Sequence, residues 1–155
     1  MTATPRIFYK QMLFDNALFG VRRQGGPSLR TIKVAGMNGS LDVCAYRGGD
    51  GKRCAVGWNI EDHEYQPTFE GKLIKSDSTF IPERLWPYRL FLREIQQAHD
   101  AGWNNFTYFQ RTYGRDFAKR QYTQGFNVRM KEIAQRFGLA YTEGEVHQQS
   151  TSKVG

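Results

Sequence analysis

Two cysteines form the pattern in this sequence that most resembles a chemical motif. Cys44 and Cys54 flank a bend at Gly49-Asp50-Gly51, so the pair could form a disulfide, bind zinc, supply a nucleophile or fill a small apolar core. A two-residue turn at Asp50-Gly51 would place the sulfurs on opposite faces of a hairpin and exclude a disulfide, whereas a three-residue loop would place them opposite each other. We favour free, buried thiols, because Asp-Gly is a strong signal for the two-residue turn.

A zinc site or a catalytic site would need further residues from elsewhere in the chain. The candidate zinc ligands are Cys44, Cys54, His63 and His99, but these cysteines are much farther apart than the about two to four residues of a zinc knuckle. His99 and Asp100 are adjacent on a predicted helix, where neighbouring side chains point in different directions, so we expect no acid–base pair. Four acidic residues lack the alternating spacing of a divalent-ion loop: Glu61, Asp62, Glu64 and Glu70. We therefore expect no metal or cofactor and assign no catalytic residue.

The excess of positive charge lies in two blocks of the chain. Among 155 residues, 22 Lys and Arg stand against 15 Asp and Glu, which gives a formal net charge of +7. Residues 1–40 and residues 101–131 each hold six basic residues against one acidic residue. A basic protein of this kind binds acidic partners such as nucleic acid, nucleotides or acidic protein surfaces. The two blocks are therefore where a binding surface is expected.

The second block interleaves aromatic and basic side chains between residues 104 and 126. Such rings could stack on bases while the cations neutralise phosphates, could form a protein interface, or could fill the core between two helices. The residues that we assign to partner binding come from this segment and from the end of the first predicted helix: Arg111, Tyr113, Arg115, Lys119, Arg120, Tyr122, Arg22 and Arg23. A candidate site for a small anion lies around the bend: Tyr46, Arg47, Lys52 and Arg53.

The first half of the chain is predicted to form a helix and a small sheet. Thr4-Pro5 is typical of a helix start, and Gly25-Gly26-Pro27 ends that helix after Gln24. Its predicted apolar face comprises Ile7, Phe8, Met12, Leu18, Phe19 and Val21, with Leu13 and Phe14 widening it. A short strand at 32–34, a turn at 36–39 and a central β-hairpin over 41–57 make a small antiparallel sheet.

The second half is predicted to be mainly helical. Apolar residues at three- and four-residue steps indicate a helix from Pro82 to Gly102. A last helix with Phe126, Met130, Ile133, Ala134 and Phe137 on its apolar face ends at Gly138. The fold class is therefore α+β, with one domain over residues 1–141 and a polar, flexible tail over 142–155.

The sequence also bears on where the protein acts. No apolar run reaches the roughly 18 to 20 residues that cross a bilayer, and the first residues lack the pattern of a secretory signal. We expect a cytoplasmic protein with no membrane partner. Two cysteines in a reducing compartment also weigh against a disulfide framework.

One stretch resembles a family of small uncharacterised proteins encoded by phages and prophages. The shared features are a Cys-x-Tyr-Arg arm, an Asp-Gly bend, a Cys-Ala-Val-Gly return, an Asp-x-x-Tyr-x-Pro and Glu-Gly segment, and a later His-Asp. They fall here at Cys44, Tyr46, Arg47, Asp50, Gly51, Cys54, Ala55, Val56, Gly57, Asp62, Tyr65, Pro67, Glu70, Gly71, His99 and Asp100. The resemblance covers about residues 41–103 and implies a viral origin, an accessory role and action in the host bacterial cytoplasm.

Three functions are compatible with these patterns. The favoured one is a non-catalytic phage accessory protein that binds a host macromolecule, such as a nucleic-acid-handling or defence complex, through its basic aromatic surface and inhibits it. The second is a small hydrolytic or nuclease-like enzyme built around the hairpin with His63, His99 and the acidic residues. The third is a binder of an anionic signalling nucleotide. The lack of a paired base and nucleophile favours the first.

Overall fold

A computed structural model describes residues 5–36 and 38–144. Within these residues, four α-helices and two strands follow one another in the order α1 (Pro5–Gln24), β1 (Leu29–Lys33), β2 (Ser40–Cys44), α2 (Arg89–Asp100), α3 (Trp103–Tyr113) and α4 (Arg115–Phe137). Short 3₁₀ helices interrupt the long connection between β2 and α2. The predicted α+β class, with an N-terminal helix, a small antiparallel sheet and C-terminal helices, is confirmed. The predicted tail lies outside the described residues beyond Gly144.

Helix α1 has the predicted bounds but a different buried face. Leu13, Phe14, Ala17, Leu18 and Val21 are buried, because this spacing forms one stripe of an α-helix. The predicted face included two residues that the structure instead exposes to solvent: Met12 at 38% and Phe19 at 37%. Leu13 and Phe14, expected only to widen the face, are both fully buried. Exposure of Phe19 leaves an aromatic ring on the surface near the end of α1.

The two paired strands lie earlier in the chain than the predicted central hairpin. β1 pairs with β2 in antiparallel register, from Leu29 opposite Cys44 to Lys33 opposite Ser40. The predicted hairpin over 41–57 is reduced to a single bridge between Arg47 and Arg53. The bend at Asp50 does form, with a positive φ of 59°, but the return segment 54–56 turns inward and is wholly buried instead of pairing as a strand.

The C-terminal helices form an antiparallel hairpin. α3 and α4 meet at Gly114, whose φ of 93° and ψ of 167° favour glycine over other residues. The predicted apolar face of α4 is confirmed at Phe126, Met130, Ile133 and Ala134, all buried, and the helix ends at Gly138 in the left-handed conformation. The weakly periodic segment before Phe126 is also helical. Helices α3 and α4 therefore share the basic aromatic residues between them.

The core lies between α1, α2, α4 and the segment after the bend. The large side chains that are fully buried there include Phe14, Leu92, Ile95, Phe126 and Met130. Within the described ranges, no helix combines the length and the apolar character that a membrane crossing requires.

Candidate anion-binding groove

A groove of about 550 Å³ runs between the end of α1 and residues 119–127 of α4. Its cationic lining residues are Arg22 and Arg23 from α1, and Lys119 and Arg120 from α4. These are four of the eight residues that the sequence assigned to partner binding. We call this feature the basic groove. The fold thus joins residues from the two basic blocks of the sequence, such as Arg23 and Lys119, which are 96 positions apart in the chain.

Arg22 is held in place by neutral groups. Its Nε donates to Oδ1 of Asn127 at 2.8 Å, and its Nη2 donates to the hydroxyl of Tyr141 at 2.9 Å. The guanidinium also lies 5.3 Å from the ring centre of Tyr141 and 5.9 Å from that of Phe19, distances at which cations and aromatic rings attract. These contacts fix the side chain but leave its charge uncompensated by a carboxylate.

Arg23 is positioned by Trp58. The Arg23 and Arg53 guanidinium carbons lie 5.6 and 5.1 Å from the Trp58 ring, and the indole donates its Nε1 hydrogen to Oε1 of Gln24 at 3.2 Å. Arg53 also pairs with Asp62 at 3.0 Å. Of the two arginines that flank the indole, Arg23 is therefore the one whose charge faces no carboxylate among the residues that the structure describes.

Lys119 lines the basic groove and also lies near two further cations, Lys52 and Arg115. Lys52 has a pKa below its ordinary value, first because it is partly buried and then because Arg115 and Lys119 are close enough to repel its positive charge. Lys119 itself packs beside Gly25, where an added Cβ would lie 3.9 Å from its Cδ. Over residues 5–36 and 38–144, none of these three cations forms an ion pair. A bound anion would relieve their mutual repulsion.

The acidic residue that borders the basic groove is already neutralised. Glu143 accepts a hydrogen bond from Nζ of Lys131 at 2.9 Å, and this contact raises the pKa of Lys131. The groove therefore keeps its positive character at its rim.

Four aromatic rings form an exposed cluster where α3 meets α4. Tyr108 and Tyr113 are 57% and 60% exposed, and Phe109 and Phe117 are half-buried. The Phe109, Tyr113 and Phe117 ring centres lie 5.0 to 6.1 Å apart, and Tyr108 lies 5.5 Å from Phe109. We call these four residues the aromatic elbow. Arg111 is exposed on α3 beside it.

Tyr122, assigned to partner binding from the sequence, instead lies in the core. It is 4% exposed, its hydroxyl donates to the carbonyl oxygen of His99 at 2.6 Å, and its ring stacks on Phe126. Tyr122 lies on the buried stripe of α4, on which Ala118 and Phe126 are also placed at four-residue steps. The ring is therefore unavailable to a partner, and the expected role of Tyr122 is replaced by a structural one.

The second candidate site does not form as expected. Tyr46 is 6% exposed and donates its hydroxyl hydrogen to the carbonyl oxygen of Lys72 at 2.7 Å. Arg47 pairs with Asp62 at 2.8 Å and also donates to a backbone carbonyl, and Arg53 pairs with the same carboxylate. Asp62 thus already occupies the anion position between the two arginines. Of the three cations in this set, only Lys52 forms no ion pair among the described residues, and it lies near Arg115 and Lys119.

A partly buried cluster of Cys44, His99 and Asp100 was not expected from the sequence. The ligand atoms of the three side chains lie within 4.8 Å of one another. His99 is fully buried; its Nε2 accepts a hydrogen bond from the Ser28 amide at 3.0 Å, and its Nδ1 lies 2.8 Å from Oδ1 of Asp100. The expectation that His99 and Asp100 cannot pair is therefore wrong, because the side chains turn toward each other at the end of α2.

The hydrogen bonds of this cluster assign it a structural role. Because Nε2 of His99 accepts the Ser28 amide, the ring proton lies on Nδ1 and is donated to Asp100. No lone pair of the imidazole is left to deprotonate Cys44, and burial, followed by contact with Asp100, raises the pKa of the Cys44 thiol. A metal at Nδ1 would likewise require His99 to give up one of these bonds. The cluster ties the segment before β1 to β2 and to α2.

The remaining catalytic candidates are separate from one another. His63 is 77% exposed and lies 3.3 Å from Glu61, whereas His99 is in the core. Cys54 is fully buried, burial raises its pKa, and both cysteines are free thiols. The acidic residues have structural partners: Glu64 pairs with Arg84, and Glu70 accepts from the Tyr46 and Arg47 amides.

Sequence reasoning missed two features of the basic groove. Trp58 positions Arg23, and the segment 142–144, expected to belong to a flexible tail, lines the groove. A signal for Trp58 existed in Gly20, an isolated glycine within a predicted helix, since such a residue marks a close approach. Comparison of the chain with protein-family models, with curated proteins and with solved structures found no match.

Proposed function

We propose that this protein is a non-catalytic binding protein whose basic groove takes up an anionic macromolecule. The observation that carries the proposal is the convergence of Arg22, Arg23, Lys119 and Arg120 in one groove, with no ion pair to any of them among the described residues. Four cations held together without counter-charges favour binding of a polyanion, because each new contact removes repulsion and releases counterions from the ligand.

Two further observations support binding over catalysis. Both ring nitrogens of His99 are committed to hydrogen bonds within the fold, so a nuclease-like or hydrolytic centre at that residue lacks a base. Asp62 compensates Arg47 and Arg53, which disfavours a site for a small anionic nucleotide at the bend. The proposal includes an accessory role in the host bacterial cytoplasm, in which the bound macromolecule is part of a host complex that the protein inhibits; this element rests on the sequence resemblance to phage proteins.

The test is binding to heparin, a polyanion without bases, measured across a salt series. A groove variant, Lys119→Glu with Arg120→Glu, should lose about tenfold or more in affinity and show a shallower dependence of affinity on salt. The matched control, Lys33→Glu with Lys75→Glu, changes two exposed lysines outside the groove and lowers the net charge equally.

The control variant should bind nearly as well as the unmodified protein. Equal losses in both variants would show that binding depends on overall charge and would overturn the assignment to the groove. Failure of the unmodified protein to bind heparin at low salt would overturn the proposed function itself. Circular dichroism of all three proteins checks that the fold is retained.

A further inference from the structure

We infer that the anionic macromolecule is single-stranded nucleic acid, with its phosphates in the basic groove and its bases stacked on the aromatic elbow. The inference rests on the proposed function and adds the class of ligand. It depends on three observations: the groove and the elbow adjoin, the tyrosine rings of the elbow are open to solvent, and exposed cations accompany these rings.

The basic groove and the aromatic elbow share the first two turns of α4. Arg120 lines the groove, and Phe117, three residues earlier, lies on the same side of the helix. Along the helix axis the two residues are about 4.5 Å apart, at 1.5 Å per residue. The Phe117 ring in turn lies 5.0 Å from the ring of Tyr113. The groove and the elbow therefore adjoin at Phe117, from which the elbow continues onto α3.

The elbow presents ring faces that the fold does not use. Tyr108 and Tyr113 keep more than half of their surface exposed, although Phe106, Tyr122 and Phe126 of the same segment are buried. Aromatic side chains open to solvent beside cations are the stacking platforms of proteins that bind single strands, and they tolerate any base because every base has a π-face. In a duplex the base faces are covered by neighbouring base pairs, so these rings would have little to stack on.

Rings and cations occur together on this surface. Arg111 is exposed on the same helix as Tyr108 and Tyr113, and Arg120 of the groove lies one helical turn from Phe117. A single strand also combines the two, since each nucleotide carries a charged phosphate and a base that can be exposed. An acidic protein surface would satisfy the cations but has no repeating counterpart to the rings, so nucleic acid fits the surface better.

Fluorescence anisotropy with three probes tests the inference. The probes are an oligothymidylate of about 12 nucleotides, a duplex of the same length and an oligoglutamate peptide of similar charge. The unmodified protein should bind the single strand about tenfold more tightly than the duplex, and both nucleic acids more tightly than the peptide.

The variant Tyr108→Leu with Tyr113→Leu should lose about tenfold in affinity for the single strand. Its affinity for heparin should not change. The control Tyr108→Phe with Tyr113→Phe keeps the rings and should retain single-strand binding.

The possible failures of the inference and of the proposed function can be told apart. If the duplex binds as tightly as the single strand, or if the leucine variant binds the single strand normally, the inference is overturned while heparin binding by the basic groove still stands. Tighter binding of oligoglutamate than of either nucleic acid would indicate an acidic protein partner and also overturn it. Loss of heparin binding by the leucine variant would place the rings in the general polyanion site instead of a base-stacking site.

Discussion

The ring of Trp58 lies directly over the α-carbon of Gly20, so closely that a Cβ added at Gly20 would come within 2.4 Å of the indole. The absence of a side chain at this point of α1 lets the indole reach the position from which it flanks Arg23. The contact therefore links the packing of α1 to the shape of the basic groove.

Gly20→Ala should destabilise the protein by about 1 to 3 kcal/mol, because the new methyl group overlaps the indole and forces it to move. This change in the free energy of unfolding has the opposite sign to the usual one, since replacing glycine within a helix by alanine normally stabilises a protein by about 1 kcal/mol. Gly125→Ala on α4 is the matched control, since a Cβ there meets no atom within 4 Å, and it should show the usual gain. Urea unfolding measures both, and stabilisation by Gly20→Ala would contradict the described contact.

The cysteines should be unreactive in the folded protein. Burial raises the pKa of both thiols, and the thiolate is the species that reacts with disulfide reagents. Titration with such a reagent at neutral pH should be slow before unfolding and should find two thiols per chain in denaturant without reductant. Fast reaction of the native protein, fewer than two thiols, or one bound zinc per chain on metal analysis would each show that this description of the cysteines is incorrect.

Tyr122→Phe should lower the free energy of unfolding by about 1 kcal/mol, because it removes the hydrogen bond to the buried carbonyl oxygen of His99. Heparin binding should be unchanged, since Tyr122 is not part of the surface. The control is Tyr113→Phe, which removes an exposed hydroxyl and should change stability by less than about 0.5 kcal/mol. Chemical denaturation and the heparin assay together check the structural role of Tyr122. A binding defect in the folded variant would show that Tyr122 contributes to binding after all.

Stability should depend on pH through Glu64. The carboxylate accepts hydrogen bonds from Nη2 of Arg84 at 2.6 Å and from Nε at 2.9 Å, and this contact lowers the pKa of Glu64 below its ordinary value of 4.5. A carboxyl with a lowered pKa in the folded state stabilises the fold above its unfolded pKa, and this contribution is lost as the pH falls through the folded value.

Glu64→Gln should therefore cost about 1 kcal/mol at pH 7, and the difference from the unmodified protein should narrow below pH 4.5. Glu132→Gln, at an exposed position of α4, serves as the control and should be close to neutral at both pH values. Denaturation curves at pH 7 and pH 4 measure the free energy of unfolding of each protein. If Glu64→Gln costs the same free energy at both pH values, the ion pair with Arg84 is not the source of the cost.

The elements that were predicted well have local signals. Helix α1 begins at Pro5 and ends before Gly25, and α4 ends before Gly138, because proline at a helix start and glycine after its end act on the backbone nearby. The basic residues of the groove were also identified, since charge is visible in composition. That Arg22 and Lys119 line the same groove was not predicted, because this depends on how distant helices pack.

The errors arose where tertiary contacts override a local pattern. The Asp50 bend formed as its sequence indicates, yet the following segment was drawn into the core and β2 paired with β1 instead. The side chains of His99 and Asp100 turn toward each other because a polar group that is buried without a hydrogen-bond partner costs free energy. Tyr122 was misassigned because composition does not separate the buried side of an amphipathic helix from its exposed side when rings occur on both.

The two walls of the basic groove are synthesised one after the other. Its α1 wall, with Arg22 and Arg23, is synthesised on the order of ten seconds before Lys119 and Arg120 leave the ribosome. Neither wall encloses a groove alone, so a growing chain presents only scattered cations next to the ribosomal RNA around it. On the proposed function, the groove would therefore bind only after α4 docks on α1, and an incomplete translation product that lacks α4 should not bind.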